Sequence, residues 1–337
     1  AVIFKLDPTL STMNLSTYFG GSSNDSGYGI QLDSGEEIYV SGGTESSNLL
    51  VSPGAIFPFY NGLVDGYIVR LSNSGTSILA CTYIGTPGYD QTYFVQLDLN
   101  DDVYVVGQTT GNYPITAGTF NNPNSGQFIQ KLNQTFTTSL MSTRIGRGTG
   151  NVDISPSAFL VNNCGHIYLS GWGGTLNSLY LADFSGTLGL PVSTDALQAS
   201  TDGSDFYLMV LDTDASALLY ASFFGGAISQ EHVDGGTSRF DKDGVVYQAV
   251  CAGCGSNDDF PTTPGAWSNT NNSTNCNLGT FKFDLAEVNA IADFVVTSSF
   301  CTFPVEVAFS NNSTGAGTYF WDFGDGNTST QTNPSYT

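Results

Sequence analysis

Two histidines, His166 and His232, and six cysteines, at 81, 164, 251, 254, 276 and 301, are the residues of this 337-residue chain best suited to metal or nucleophilic chemistry. Cys251-x-x-Cys254 with Cys276, completed by Cys164 or His166, has the residue types of a zinc site, since thiolate and imidazole are ligands that Zn²⁺ takes. The competing use of the same sulfurs is a disulfide drawn from Cys251, Cys254, Cys276 and Cys164, clamping the long 255–275 loop; free thiols are the third. A Gly-, Asn- and Thr-rich, Lys-poor chain favours the disulfide and an oxidising exterior. Cys81 sits in an apolar strand and reads as a small buried hydrophobe. Neither histidine stands near a Gly-x-Ser-x-Gly elbow or a triad signature, so both read as structural and no catalytic residue is assigned.

The chain carries 30 acidic and 8 basic residues, a formal charge of −22. Such a surface repels phosphate, which excludes a nucleic-acid partner. Carboxylate pairs of the kind that hydrolyse glycosides occur in any chain this acidic and identify nothing alone. Recognition of an anionic sugar would need convergent cations, yet Arg70, Arg144, Arg147 and Arg239 fall at unrelated positions of the repeat described below. A neutral sugar is not excluded by that argument. Asp-rich turns, with Asp241 and Asp243 in one and Asp258 and Asp259 in another, offer oxygen ligands for Ca²⁺, although neither has the twelve-residue loop ending in Glu. Beyond that Ca²⁺, no cofactor is expected.

The elements that position these residues are strands. Charged residues make up 11% of the chain and aromatic residues 13%, with 40 Gly. Short aromatic and β-branched runs bounded by Gly, Asn, Asp and Ser predict many short strands and tight turns, and no stretch sustains a helical period. No run reaches the ~18 apolar residues of a membrane span.

Internal periodicity fixes the arrangement. Ile38-Tyr-Val-Ser-Gly42 recurs as Val103-Tyr-Val-Val-Gly107, Ile167-Tyr-Leu-Ser-Gly171 and Val246-Tyr-Gln-Ala-Val250. Tyr18-Phe-Gly-Gly21 recurs in register as Tyr83-Ile-Gly-Thr86, Arg144-Ile-Gly-Arg147 and Phe223-Phe-Gly-Gly226. A unit of about 65 residues with four short strands fits a β-propeller blade better than a sandwich domain, which needs ~90–100 residues. The expected fold is therefore all-β: propeller repeats over 1–288, with four complete blades near 15–72, 80–133, 140–212 and 220–285, and an orphan strand over 1–7. The third unit carries an apolar insertion after Gly171, with Trp172, Tyr180 and Phe184 as a plug or a docking surface. From 289 the repeat stops, and 289–337 reads as the first half of another β-module. Both ends read as cuts in a longer polypeptide.

Trp321-Asp-Phe-Gly-Asp-Gly326, followed by Asn333-Pro-Ser, resembles the signature of PKD domains, which are immunoglobulin-like sandwiches of bacterial surface proteins. Tyr18-Phe-Gly-Gly21, Asp25-Ser-Gly27, Ile38-Tyr-Val-Ser-Gly42 and Asp259-Phe-Pro-Thr-Thr-Pro-Gly-Ala266 resemble SBBP-type β-propeller repeats. Together with Asn163-Cys-Gly-His-Ile-Tyr-Leu-Ser-Gly-Trp172 and Cys251-Ala-Gly-Cys254, the combination is similar to PKD-containing proteins of Bacteroidetes associated with gliding motility. The resemblance implies secretion, through the type IX route, to the outer cell surface, and a bridge from Cys301 to a partner beyond Thr337. It implies a non-enzymatic adhesin, stalk or filament component, with neighbouring modules of the same chain and surface glycans or proteins as partners. The alternative reading is a secreted carbohydrate-active propeller enzyme acting on a neutral polysaccharide, and a passive spacer is a third.

Overall fold

A computed structural model describes the chain except for residues 176–184, 235–237, 286–291, 297–303 and 314–317. It divides into two compact units, Ala1–Phe283 and Asp284–Thr337.

Unit 1 is built of antiparallel sheets in which strands adjacent in sequence are adjacent in space. A two-stranded sheet, β1 (Val2–Leu6) and β2 (Met13–Tyr18), comes first. The first four-stranded sheet holds β3 (Asp25–Leu32), β4 (Ile38–Thr44), β5 (Asp65–Leu71) and β6 (Ile78–Ile84). The second holds β7 (Asp90–Leu97), β8 (Val103–Thr109), β9 (Gln127–Leu132) and β10 (Ser139–Ile145). The third holds β11 (Ser155–Val161), β12 (Ile167–Trp172), β13 (Phe206–Leu211) and β14 (Leu218–Phe224). A last sheet has three strands, β15 (Arg239–Phe240), β16 (Val245–Ala252) and β17 (Asn277–Asp284).

The sheets are out of phase with the sequence units by one strand. The strand that ends at each Gly-Gly marker pairs with the strands before it, so the sheets span 25–84, 90–145 and 155–224 rather than starting at 15, 80 and 140. A tandem repeat has no intrinsic starting point, and only the hydrogen bonds fix the phase. Three four-stranded sheets and one three-stranded sheet, not four complete ones, are therefore seen among the described residues. The opening strand, read as an orphan, has a partner in β2.

Successive sheets are joined by apolar cores. Tyr39, Ile68 and Ile84 of the first sheet share one with Val95, Val105 and Phe128 of the second. Val106, Ile129 and Met141 pack with Phe159, Leu169 and Met209 of the third, and Phe206 packs with Val250 and Ala252 of the fourth. Central strands are covered on both faces, and β4, β8 and β13 are buried throughout. Their sequences are accordingly near-continuous apolar and small runs rather than alternating ones.

Three of the four repeated tyrosines, Tyr39, Tyr104 and Tyr247, share a task. Tyr39 faces Arg70 across the β4–β5 ladder and Tyr104 faces Lys131 across β8–β9. The cations lie over the rings at 5.5 and 5.1 Å, and Lys282 lies 5.6 Å from the Tyr247 ring in the fourth sheet. Turn carboxylates complete the first two sets: Asp33 and Glu37 pair with Arg70, and Asp98 lies 3.1 Å from Lys131. The irregular Gly-Gly marker of the third unit, Arg144 to Arg147, is equally built in. Arg144 is buried and donates from Nε to Ser125 O at 2.8 Å, while the Arg147 guanidinium pairs with Asp153.

Unit 2 pairs β18 (Ala292–Val296), β19 (Val307–Asn311) and β22 (Ser335–Tyr336) in one sheet and β20 (Trp321–Asp322) with β21 (Thr328–Ser329) in another. The Asp-Phe-Gly-Asp-Gly run is a double turn: Asp322 accepts from the Gly324 amide at 2.9 Å and Asp325 from the Asn327 amide at 3.0 Å. Gly324 and Gly326 take φ of 83° and 92°, which L side chains resist. Trp321 donates to Gln331 O at 2.9 Å, and Phe323 stacks on Tyr336 at 4.3 Å. Cys301 lies outside the described residues.

Candidate functional site

The two ends of the unit 1 sheets differ in kind. At one end, first strands pass to second and third to fourth through short hairpin turns such as 33–37, 98–102, 162–166 and 241–244. At the other, the long connections 45–64, 110–126, 173–205 and 253–276 emerge beside the Gly-Gly loops that join one sheet to the next. Functional side chains of repeat folds collect on such long loops, and the longest here flank the junction of the third and fourth sheets.

A carboxylate at each sheet entrance caps the preceding Gly-Gly loop. Asp90 accepts from the Thr86 amide at 2.6 Å, Asp153 from Arg147 N at 2.8 Å and Asp25 from Gly21 N at 2.8 Å. Glu231, one methylene longer, takes this role at the fourth sheet, accepting from Gly226 N at 3.2 Å. A second acid, Asp205, sits at the start of β13 as Asp65 does at β5, where the second sheet has Gln127. A Cβ added to Gly225 would meet Asp205 Oδ1 at 2.1 Å and Glu231 Oε2 at 2.7 Å, so the two carboxyls face each other across a glycine that cannot carry a side chain.

Asp259 adds a third acid on the 253–276 connection, accepting from Ile228 N at 2.7 Å. Burial pushes Asp205 up to about 7, and the charges of Asp202, Glu231 and Asp259 push the same way. Glu231 is raised by burial as well, while hydrogen bonds from the Ile228 and Ser229 amides hold Asp259 below the ordinary range against its own desolvation. Oδ1 of Asp205 and Oδ1 of Asp259 have no hydrogen-bond partner. The arrangement separates one protonated from one ionised carboxyl near neutrality, which is the requirement for general acid–base work. Only its crowding was invisible in sequence: Asp205 and Glu231 are 26 positions apart and match no local motif.

Beside the acids lies His232. An antiparallel bridge joins it to Cys251, with Cys251 N donating to His232 O at 2.9 Å, and Trp172 holds its ring at a centroid distance of 5.8 Å. Cys254 and Cys276 form the disulfide. It clamps the 255–275 loop as anticipated and fits an oxidising compartment. Cys251 and Cys164 are free, so the bridge does not draw on them. Cys164 lies in the 162–166 hairpin turn at the short-turn end, with His166, 3.6 Å from Asp212, beside it; neither can join the other cysteines. Cys81 is fully buried, which pushes its thiol up to about 12 and leaves it inert.

The four calcium candidates do not form one set. Asp241 and Asp243 lie in the turn before β16, and Asp258 and Asp259 in the connection after it. Asp241 is occupied as a turn cap, accepting from the Asp243 and Val245 amides at 3.0 Å each. Trp172 closes β12 against His232 rather than standing free, and Tyr180 and Phe184 lie outside the described residues.

Reducing the chain's one described bridge has a calculable effect. The loop it closes spans 22 residues of sequence separation, for which chain entropy gives about 3 kcal/mol. The double variant Cys254→Ser/Cys276→Ser is expected to lower unfolding stability in urea by that amount, and an unchanged midpoint would show that the 255–275 loop is held by other contacts.

No family model matches the chain, and no curated protein does either. Among solved structures it is similar to a polysaccharide lyase, a PL25 ulvan lyase bound to a glucuronate–rhamnose 3-sulfate unit, at 13% identity and a TM-score of 0.37. The same lyase described without that ligand gives 13% and 0.36. In both comparisons 87% of this chain is covered and 63% of the other, so the chain spans less than two thirds of their length. These solved structures are enzymes, which runs against the expectation of a non-enzymatic adhesin or stalk, and that expectation is withdrawn. The likeness transfers neither substrate nor catalytic residues, and what the chain shows of itself is an all-β structure of stacked four-stranded antiparallel sheets.

Proposed function

We propose that unit 1 is part of a secreted β-propeller enzyme that hydrolyses a neutral polysaccharide at the long-loop end of its third and fourth sheets. The observation that carries this reading is the gathering of Asp205, Glu231 and Asp259 at one sheet junction, where the first junction has two carboxyls, Asp65 and Asp90, and the second only Asp153. Repeats break their own pattern where function has been grafted on. Asp205, holding its proton near neutrality, is the donor to the glycosidic oxygen, and Asp259, held below the ordinary range by the Ile228 and Ser229 amides, is the carboxylate that works against it. Asp205 and Glu231 are both buried. Trp267, fully exposed on the 253–276 connection, supplies an aromatic platform for a sugar ring.

A neutral substrate follows from where the cations go. Arg70, Lys131 and Arg147 are each engaged by carboxylates, Arg144 is buried, and Arg239, exposed in β15, stands beside the 241–244 hairpin turn at the short-turn end. In this reading unit 2 is a PKD-like module and the whole chain, with its SBBP-like repeats, is displayed at the outer cell surface, where surface glycans are its partners.

The purified chain, offered a panel of neutral and uronate polysaccharides, is expected to release reducing ends from a neutral member. Release of products carrying an unsaturated uronyl chromophore, or no release from any member, would overturn the assignment.

A further inference from the structure

The pairing of His232 with Cys251 places three different metal-binding atoms around one point, and none of them is used by the carboxyl pair. His232 Nε2 lies 3.4 Å from Asp234 Oδ1, and Cys251 Sγ lies 3.4 Å from Asp234 Oδ2. All three ligand atoms fall within 4.8 Å of one another. Tetrahedral Zn²⁺, about 2.0–2.3 Å from nitrogen, oxygen and sulfur, sets its ligands roughly 3.3–3.8 Å apart. Each observed separation, one to each oxygen of the Asp234 carboxylate, has the length of such an edge.

We propose that His232, Asp234 and Cys251 form a Zn²⁺ site with its fourth position open to solvent. The backbone bridge between His232 and Cys251 sets both side chains on one face, so the site needs no rearrangement of the main chain. The disulfide contributes by orientation. Cys254 Sγ stands 3.7 Å from His232 Nδ1, where it accepts that N–H and leaves Nε2 bare toward Asp234 and Cys251. Trp172 packs against the imidazole from the side and restricts its rotation. Asp234 is the outer wall, 77% exposed, against 13% for His232, so the open position faces water. One thiolate and one carboxylate neutralise the ion, and binding releases the Cys251 proton to solvent. The mixed nitrogen, oxygen and sulfur set favours zinc over calcium or magnesium, which take oxygen.

The site is independent of the polysaccharide reading, and so is its test. The intact chain, its disulfide verified by mass under non-reducing conditions, is titrated with Zn²⁺ by calorimetry and with Co²⁺ by absorbance. One equivalent of each is expected to bind, with a thiolate-to-Co²⁺ charge-transfer band. Cys251→Ser is expected to remove that band and weaken Zn²⁺ at least tenfold, and His232→Gln to do the same to affinity while circular dichroism stays unchanged. Absence of the band in the folded chain, its survival in Cys251→Ser, or binding that appears only after reduction of Cys254 and Cys276 would each overturn the assignment. Polysaccharide cleavage plays no part in these readouts, so its loss alone bears only on the carboxyl pair.

Discussion

Alanine at Gly42 is expected to lower stability by roughly 3 kcal/mol or more. The added Cβ would lie 1.8 Å from the Ser26 carbonyl oxygen and 2.9 Å from the Tyr67 ring. Neither can retreat, because Gly42 pairs with Gly27 at the edge of a bulge in the β3–β4 ladder and Tyr67 is fully buried. The same glycine recurs opposite a bulge in each four-stranded sheet: Gly107 pairs with Thr92 and Gly171 with Pro156. Their added methyl groups would meet the Gln91 oxygen at 2.3 Å and the Ser155 oxygen at 2.8 Å. Urea unfolding should therefore rank the alanine variants Gly42, Gly107, Gly171 in decreasing damage. Gly118, with φ of 89° and no neighbour within 4 Å, is the control, and alanine there should cost only the roughly 1–2 kcal/mol of a left-handed residue. Equal midpoints for Gly42→Ala and Gly118→Ala would show that the close approach relaxes and that the glycine is kept for other reasons.

That glycine also marks the boundary of what sequence reading reached. Its recurrence, with Tyr39, Tyr104, Tyr168 and Tyr247, revealed the repeat and the strands, because periodic burial leaves a periodic sequence. The reason for it stayed hidden, since a bulge is a relation between two strands and Gly27 or Pro156 gives no local sign of its partner. The one-strand phase error has the same origin: the Gly-Gly strand is equally compatible with the sheet before it and the sheet after it until hydrogen bonds are seen. In the site, the cysteine spacing points to a bridge across 255–275, as seen, but His232 reads from sequence as a structural residue. Its partner Cys251 is 19 positions away on β16 and is reached through a backbone bridge from the connection that carries His232. Glu231 was missed for a subtler reason. It fills the capping position of Asp25, Asp90 and Asp153, following Gly225 by six residues where they follow Gly20, Gly85 and Gly146 by five, five and seven, but as a glutamate in place of the repeated aspartate.

Replacing Asp205 with asparagine is expected to separate stability from activity. An aspartate of the unfolded chain ionises near 3.8, whereas burial holds the folded group at about 7. Between those values the folded chain keeps a proton that the unfolded chain has lost, so stability falls as pH rises through that window. The loss is complete above pH 7 and reaches up to about 4 kcal/mol for a fully buried group. Asp65, raised to about 6 by its own burial with the Asp90 charge adding, works in the same direction over a narrower window. Asparagine mimics the protonated acid in shape: its carbonyl can accept from Gln198 as the carboxyl does at 3.1 Å, and its amide can donate across Gly225 to Glu231. The variant should therefore be more stable than the parent at pH 8, equal to it at pH 4, and flatter in between. The general decline of repulsion among 30 carboxylates on acidification affects both proteins alike, so the difference between the two curves isolates Asp205. Cleavage of a neutral polysaccharide should fall at least a hundredfold in the same variant, because the amide has no proton to donate to a leaving oxygen. Higher stability with undiminished cleavage would reduce Asp205 to a junction cap like Asp65. Parallel pH curves for parent and variant would mean that the carboxyl is ionised as in water and that Asp205 and Glu231 do not face each other across Gly225.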